Sequence, residues 1–224
     1  MIVLSAIRNE VTKLAGQRST WIIYSCTFLI MISTAMLQHI AGKIETSSYW
    51  NYAISLSQTS IQLYSLFAVL LSIQLIQVEL STGSIRLLLI HPCTRSKIWF
   101  AKFIAALLFS LGGYVVIVML SPLLVLLLSS SEGFAKFDQM ILFFTVSASR
   151  LPDYPIAIAS AFTMIMLTRN MGFALIFSLI VTVISSNILL FISEFSSWIA
   201  AGFWLIFLAV ITIPGWKAFI RQEF

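Results

Sequence analysis

The chain has 224 residues, 60% of them hydrophobic and only 9% charged, with thirteen Lys and Arg against eight Asp and Glu for a net charge of +5. Its mean hydropathy is +1.02, whereas a soluble domain is about half apolar and about a quarter charged. Too few polar residues exist to clothe an aqueous fold, so composition excludes a soluble globular domain and indicates an integral membrane protein.

In chain order, the first predicted element is an amphipathic helix over residues 1–19. Val3, Ile7, Val11 and Leu14 recur at helical spacing, with Arg8, Glu10, Lys13 and Arg18 between them. Such a helix suits the membrane interface, with Arg8 and Lys13 as anchors. A secretory signal peptide is the competing reading, but the apolar run begins late and continues too long for an h-region.

A membrane crossing needs about 20 apolar residues to traverse roughly 30 Å of hydrocarbon. The first and second predicted crossings are residues 21–40 and 58–78. In the second, Gln58, Gln62, Ser65 and Ser72, with Ser55 just before it, fall within about 100° of one another at 3.6 residues per turn. Next comes a segment over residues 79–97 that gathers Arg86, Arg95 and Lys97, with Lys102 just beyond. Gly83 permits a tight turn, residues 84–90 can form a short helix with Ile85, Leu88 and Leu89 on one face, and Pro92 stops it. Arg95, Lys97 and Lys102 then anchor the third crossing at anionic headgroups.

The third crossing, residues 98–128, is long, and its Gly112-Gly113 pair and Pro122 predict a bend. The fourth apolar region, residues 140–167, is broken by RLPDYP, whose Arg150 and Asp153 read as an outer-surface turn. The fifth, residues 171–192, carries Ser178, Thr182 and Ser185 on one face, and the sixth, residues 198–213, follows after SEFSS. Each neutral polar stripe has two readings, helix–helix packing or the lining of a substrate path or dimer seam. The fold class is all-α: six transmembrane helices over residues 20–224, because hydrocarbon offers no partner for free backbone groups and no short strands of alternating polarity appear.

Six crossings place both termini on one side. That side collects ten of the thirteen basic residues and leaves Lys43, Lys136 and Arg150 opposite, where Glu45, Glu132, Asp138, Asp153 and Glu194 also fall. The positive-inside rule makes the termini and segment 79–97 cytosolic. The charge is thus a topology signal rather than a nucleic-acid surface, which needs a basic patch on a soluble face. Cys26 lies within a crossing and Cys93 in the cytosolic segment, so they do not pair.

No catalytic set emerges. The histidines, His39 and His91, lie on opposite faces, which removes a paired-histidine metal site, and no crossing carries paired carboxylates. No phosphate-binding G-x-x-x-x-G-K-[ST] loop is present, so this chain does not itself grip ATP in that way.

The segment's Glu79, Gly83, Leu87-Leu88-Leu89, Pro92, Arg95 and Lys102 follow one another in a recognisable order. It resembles the cytosolic segment of ABC-2 type permeases, the membrane subunits of ATP-binding-cassette transporters. Their pattern is an acidic residue, Gly, a Leu pair, Pro, Arg, then Lys where the third span starts. The resemblance extends to the N-terminal helix, the spans and the length, and the broken fourth region looks most like the bacteriocin and lantibiotic immunity group. One departure is SEFSS, where the family often places re-entrant helices. The resemblance implies a coupling helix docking on a separate ATPase through Glu79, Gly83, Ile85, Arg86, Leu88, Leu89, Pro92 and Arg95. It further implies ATP and Mg on that partner with no cofactor here, a second permease copy or sister chain, and a bacterial plasma-membrane location. The substrate expected is an amphipathic or hydrophobic molecule such as a peptide. The alternative is a non-transport immunity or anchor protein that acts by binding.

Overall fold

The computed structural model describes residues 2–41, 49–82, 95–128, 137–195 and 197–221. These residues form eight helices and no strand: α1 (Ile2–Gly16), α2 (Arg18–Ile40), α3 (Tyr49–Thr82), α4 (Arg95–Leu128), α5 (Phe137–Ala148), α6 (Asp153–Thr168), α7 (Met171–Phe195) and α8 (Ser197–Arg221). Six stretches are long and apolar enough to cross a membrane, the fourth being α5 and α6 taken together. The all-α expectation with six crossings therefore holds.

Sequence chemistry explains where the helices continue and where they stop. Pro122 lies inside α4, and its missing N–H deprives the Val118 carbonyl of its intrahelical partner. The neighbouring Ser121 hydroxyl donates to that carbonyl at 3.2 Å, and the Tyr49 hydroxyl donates to the Pro122 carbonyl at 2.6 Å. In lipid such side-chain donors are what makes a helix proline tolerable. At RLPDYP the helix does break. Arg150 N–H donates to Ser147 O and Leu151 N–H to Ala148 O, closing α5 with a tight turn. Pro152 cannot extend that ladder, whereas Pro155 falls in the first turn of α6, where no N–H is needed.

The α6–α7 turn is similarly local. Arg169 takes a left-handed conformation (φ 51°) with its N–H on the Ile165 carbonyl. The Asn170 side chain then accepts from the N–H groups of Gly172 and Phe173 at 3.0 and 3.4 Å, capping α7. SEFSS, expected as a link, is instead largely helix, since α7 runs to Phe195 and α8 starts at Ser197.

The described chain divides into two compact units. One comprises Arg18–Tyr64 and Leu111–Leu151. Within it the Tyr52 hydroxyl donates to the Ala35 carbonyl at 2.8 Å, joining α3 to α2, and Trp50 packs on Phe143 of α5 at 5.7 Å between ring centres. Gly113 of α4 lies against Tyr64: a Cβ there would sit 2.0 Å from the Tyr64 hydroxyl and 2.8 Å from Cε1 of Tyr24. The pair expected as a bend is thus divided in role, because Gly112 has open space around it while Gly113 admits two tyrosine rings.

The other unit comprises Met1–Gln17, Ser65–Ser110 and Pro152–Phe224. Its centre is α6, with twelve of sixteen residues buried, and α7 and α8 pack on it and on each other. The sequence IAIASAFT makes this possible, since small Ala and Ser side chains let neighbouring backbones come close. At Gly215 of α8 a Cβ would lie 2.9 Å from the Thr163 Cα, and the Thr163 hydroxyl donates to the Ile211 carbonyl at 2.7 Å. That carbonyl belongs to the turn of α8 which Pro214 interrupts.

Candidate coupling region

Segment 79–97 connects the end of α3 to the start of α4. Gly83, Ile85, Arg86, Leu88, Leu89 and Pro92 lie outside the described residues, and Glu79 and Arg95 are described as helix backbone only. The geometry around the segment is therefore read from the base of α4 and its neighbours. There Lys97 is exposed, as an interfacial anchor requires, while Trp99 is buried. The Trp99 ring stacks on Phe103 at 5.4 Å and 8°, and both meet Phe162 of α6 edge-on.

Lys102 has another partner than the headgroups expected for it. It is 4% exposed and donates from Nζ to Oε1 of Glu10 on α1 at 2.9 Å. The reason is its place on the helix: three residues after Trp99, it shares the face of α4 that turns into the unit's core. A lone ammonium there would be costly, so an acid must meet it. In the sequence Glu10 reads as one of the charges on the polar face of an interfacial amphipathic helix. The signal was Lys102 itself, because an ionisable residue within an apolar span calls for a partner.

The apolar stripe of α1 also finds protein. Leu14 is buried and Val11 half-buried against a core that includes Val69, Ile73, Trp99 and Phe162. Arg8 and Lys13, on the flanks of that stripe, are exposed. Helical amphipathicity was correctly read, but α1 turns these apolar residues toward the base of α3 and α4 rather than into lipid. A buried ion pair and a hydrophobic contact thus bind α1 to the helix that follows the segment.

The polar stripes occupy several environments. Gln58 and Gln62 are half-buried in one unit, and Ser65 is buried in the other with Ser72, whose hydroxyl donates to Ala68 O at 2.7 Å. On α7 the Ser178, Thr182 and Ser185 side chains are all buried. Ser178 donates to the Ala174 carbonyl, Thr182 to Ser178 O at 2.7 Å and Ser185 to Thr182 O at 2.9 Å. The α7 donors are engaged within their own helix, which lets this face lie against protein without stranding a hydroxyl proton.

Arg150 and Asp153 correct the expectation of an outer-surface turn. They are 7% and 2% exposed, Arg150 in one unit and Asp153 at the start of α6 in the other. Polarity in a proline-rich break reads as surface from sequence, but both side chains are covered by other parts of the chain. Among the described residues no three His, Cys, Asp or Glu side chains come together to hold a metal ion.

Comparison with known families gives one match. A family model described as "ABC-2 family transporter protein" covers residues 6–186, from α1 through most of α7, including segment 79–97. No curated protein matches the chain.

Proposed function

This chain belongs to the ABC-2 transporter family, and on that premise we propose how its segment 79–97 couples an ATPase to export. As a member it is a multi-pass permease subunit of an ATP-binding-cassette transporter and associates with an ATPase. In the proposed complex, the apolar face of Ile85, Leu88 and Leu89 docks on that ATPase, with Glu79, Gly83, Arg86, Pro92 and Arg95 shaping and orienting the plug. ATP and Mg bind the partner, and a second permease completes the transmembrane pathway. Both termini and the segment face the cytosol of a bacterial cell.

The base of α4 supports this route for the motion. A push on the segment acts on the first turns of α4, which the Lys102–Glu10 pair ties to α1 and the Trp99, Phe103 and Phe162 rings tie to α6. One displacement is thus delivered to an outer and a central helix together, because packed elements shift as bodies rather than deforming. The cargo is an amphipathic or hydrophobic molecule, of which a bacteriocin-like peptide is the proposed example. A chain without intramembrane carboxylate pairs favours such cargo over a proton-coupled solute.

The observation that carries this reading is the family match across residues 6–186, which spans the segment and the helices on both sides of it. Co-expression with the ATPase tests it. The double variant Leu88→Asp/Leu89→Asp should insert normally but lose the ATPase on purification. Undiminished recovery of the ATPase would remove the docking assignment.

A further inference from the structure

Trp99, Phe100 and Phe103 of α4 and Thr212, Ile213 and Trp216 of α8 enclose a cavity of about 250 Å³ within one unit. It lies in the end portions of two membrane-crossing stretches, near the start of α4 and the finish of α8. Phe100 is 48% and Ile213 46% exposed, so the notch opens outward from the chain. The Thr212 hydroxyl donates to Leu208 O at 2.8 Å, whereas the buried indole N–H groups of Trp99 and Trp216 have no acceptor among the described residues. The rest of the lining is apolar, which suits hydrocarbon with an acceptor group near the indoles.

Size and charge narrow the occupant further. At about 250 Å³ the notch is smaller than the pockets of about 300–1,000 Å³ that drug-sized ligands fill. A flexible hydrocarbon chain suits it. Lys97 lies three residues before Phe100, and Lys217 four residues after Ile213, so each neighbours an exposed lining residue on the flank of the notch, toward the same end of the two helices. Both are exposed. Two cations at the same end of an apolar groove complement a phosphate attached to an acyl chain.

We infer that this notch binds an anionic glycerophospholipid, with one acyl chain among Trp99, Phe103 and Trp216 and the headgroup phosphate between Lys97 and Lys217. The site requires neither the proposed cargo nor the ATPase contact. A lipid seated there ties the first turns of α4 to the last turns of α8, making the base of α4 responsive to the charge of the surrounding leaflet.

The test reconstitutes the full chain in phosphatidylcholine vesicles with a trace of photoactivatable phosphatidylglycerol or phosphatidylcholine bearing the same diazirine acyl chain. Phosphatidylglycerol adducts should concentrate on Phe100, Ile213 and Trp216 and greatly exceed those of phosphatidylcholine. Lys97→Gln and Lys217→Gln should each lower the labelling about fivefold, and Ile213→Trp, which fills the notch, should abolish it for both lipids. Equal labelling by the two headgroups, or labelling that survives the lysine variants, would reduce the notch to ordinary lipid contact and overturn the proposal. Disulfide cross-linking of two copies through Phe100→Cys and Ile213→Cys, without adducts in the wild type, would overturn it in favour of a protein seam.

Discussion

Adjacent glycines on α4 offer a sharp test of packing, because a methyl group added to one meets nothing and to the other meets two rings. In a helix, Gly→Ala gains about 1 kcal/mol from backbone entropy and propensity. At Gly112, with no atom within 4 Å, that gain should appear as a small stabilisation. At Gly113 the new Cβ would lie 2.0 Å from the Tyr64 hydroxyl oxygen and 2.2 Å from its Cζ, where carbon atoms normally keep about 3.5–4.0 Å. Tyr64 is 0% exposed and cannot swing away, so overpacking of about 1–3 kcal/mol opposes the gain. The two alanine variants should differ by about 1–3 kcal/mol, or roughly 2–12 °C in midpoint for a chain of this size. Thermal unfolding of the purified protein in detergent measures the gap. In a Tyr64→Leu background, lacking both the hydroxyl and Cζ, the Gly113→Ala penalty should fall, with the 2.8 Å approach to Cε1 of Tyr24 left as its remainder. In Tyr64→Phe, where Cζ remains, it should still destabilise. Equal midpoints for Gly112→Ala and Gly113→Ala would refute the reasoning.

Two further outcomes follow from the charges. Removing one partner of the Lys102–Glu10 pair, as in Glu10→Ala or Lys102→Met, should cost about 3–5 kcal/mol by stranding a buried charge, while the double variant Glu10→Leu/Lys102→Met should recover most of it; additive losses in the thermal double-mutant cycle would dissolve the pair as a structural tie. Orientation is read by single cysteines in a background lacking Cys26 and Cys93: positions Ser47 and Ser131 should react with an impermeant thiol reagent in intact cells, and Ser84 and Ser96 only after lysis. The reverse labelling would invert the topology.

Much of the fold was legible because hydrocarbon imposes simple demands. Apolar length found the six crossings, and the prolines of RLPDYP found the break between α5 and α6. What sequence could not supply was the identity of the covering surface. The periodicity of Val11 and Leu14 marked an apolar face of α1 without distinguishing lipid from protein, and both are equally acceptable to valine. Gly113 and Pro122 read alike as weak points, yet one makes room for Tyr64 and the other is relieved by Ser121 at the freed Val118 carbonyl. Arg150 and Asp153 looked solvated because charge beside proline usually is, yet both side chains are buried. At segment 79–97 the spacing of residue types carried the functional reading, while its docking face must be tested with the ATPase present.

The central position of α6 bears on how the protein is made. The helix has sixteen residues, about 24 Å at 1.5 Å each, which is short of the hydrocarbon thickness of roughly 30 Å. Its chief cover, α7 and α8, comes later in the chain, so a ribosome delivers α6 to the bilayer before its cover exists. A short segment that opens on Asp153 is a poor independent insert. Its burial therefore belongs to the last stage of biogenesis, when the following two helices arrive and close around it. The energetic merit of α6 as the second half of the fourth crossing resides in its neighbours, and the C-terminal helices complete its cover.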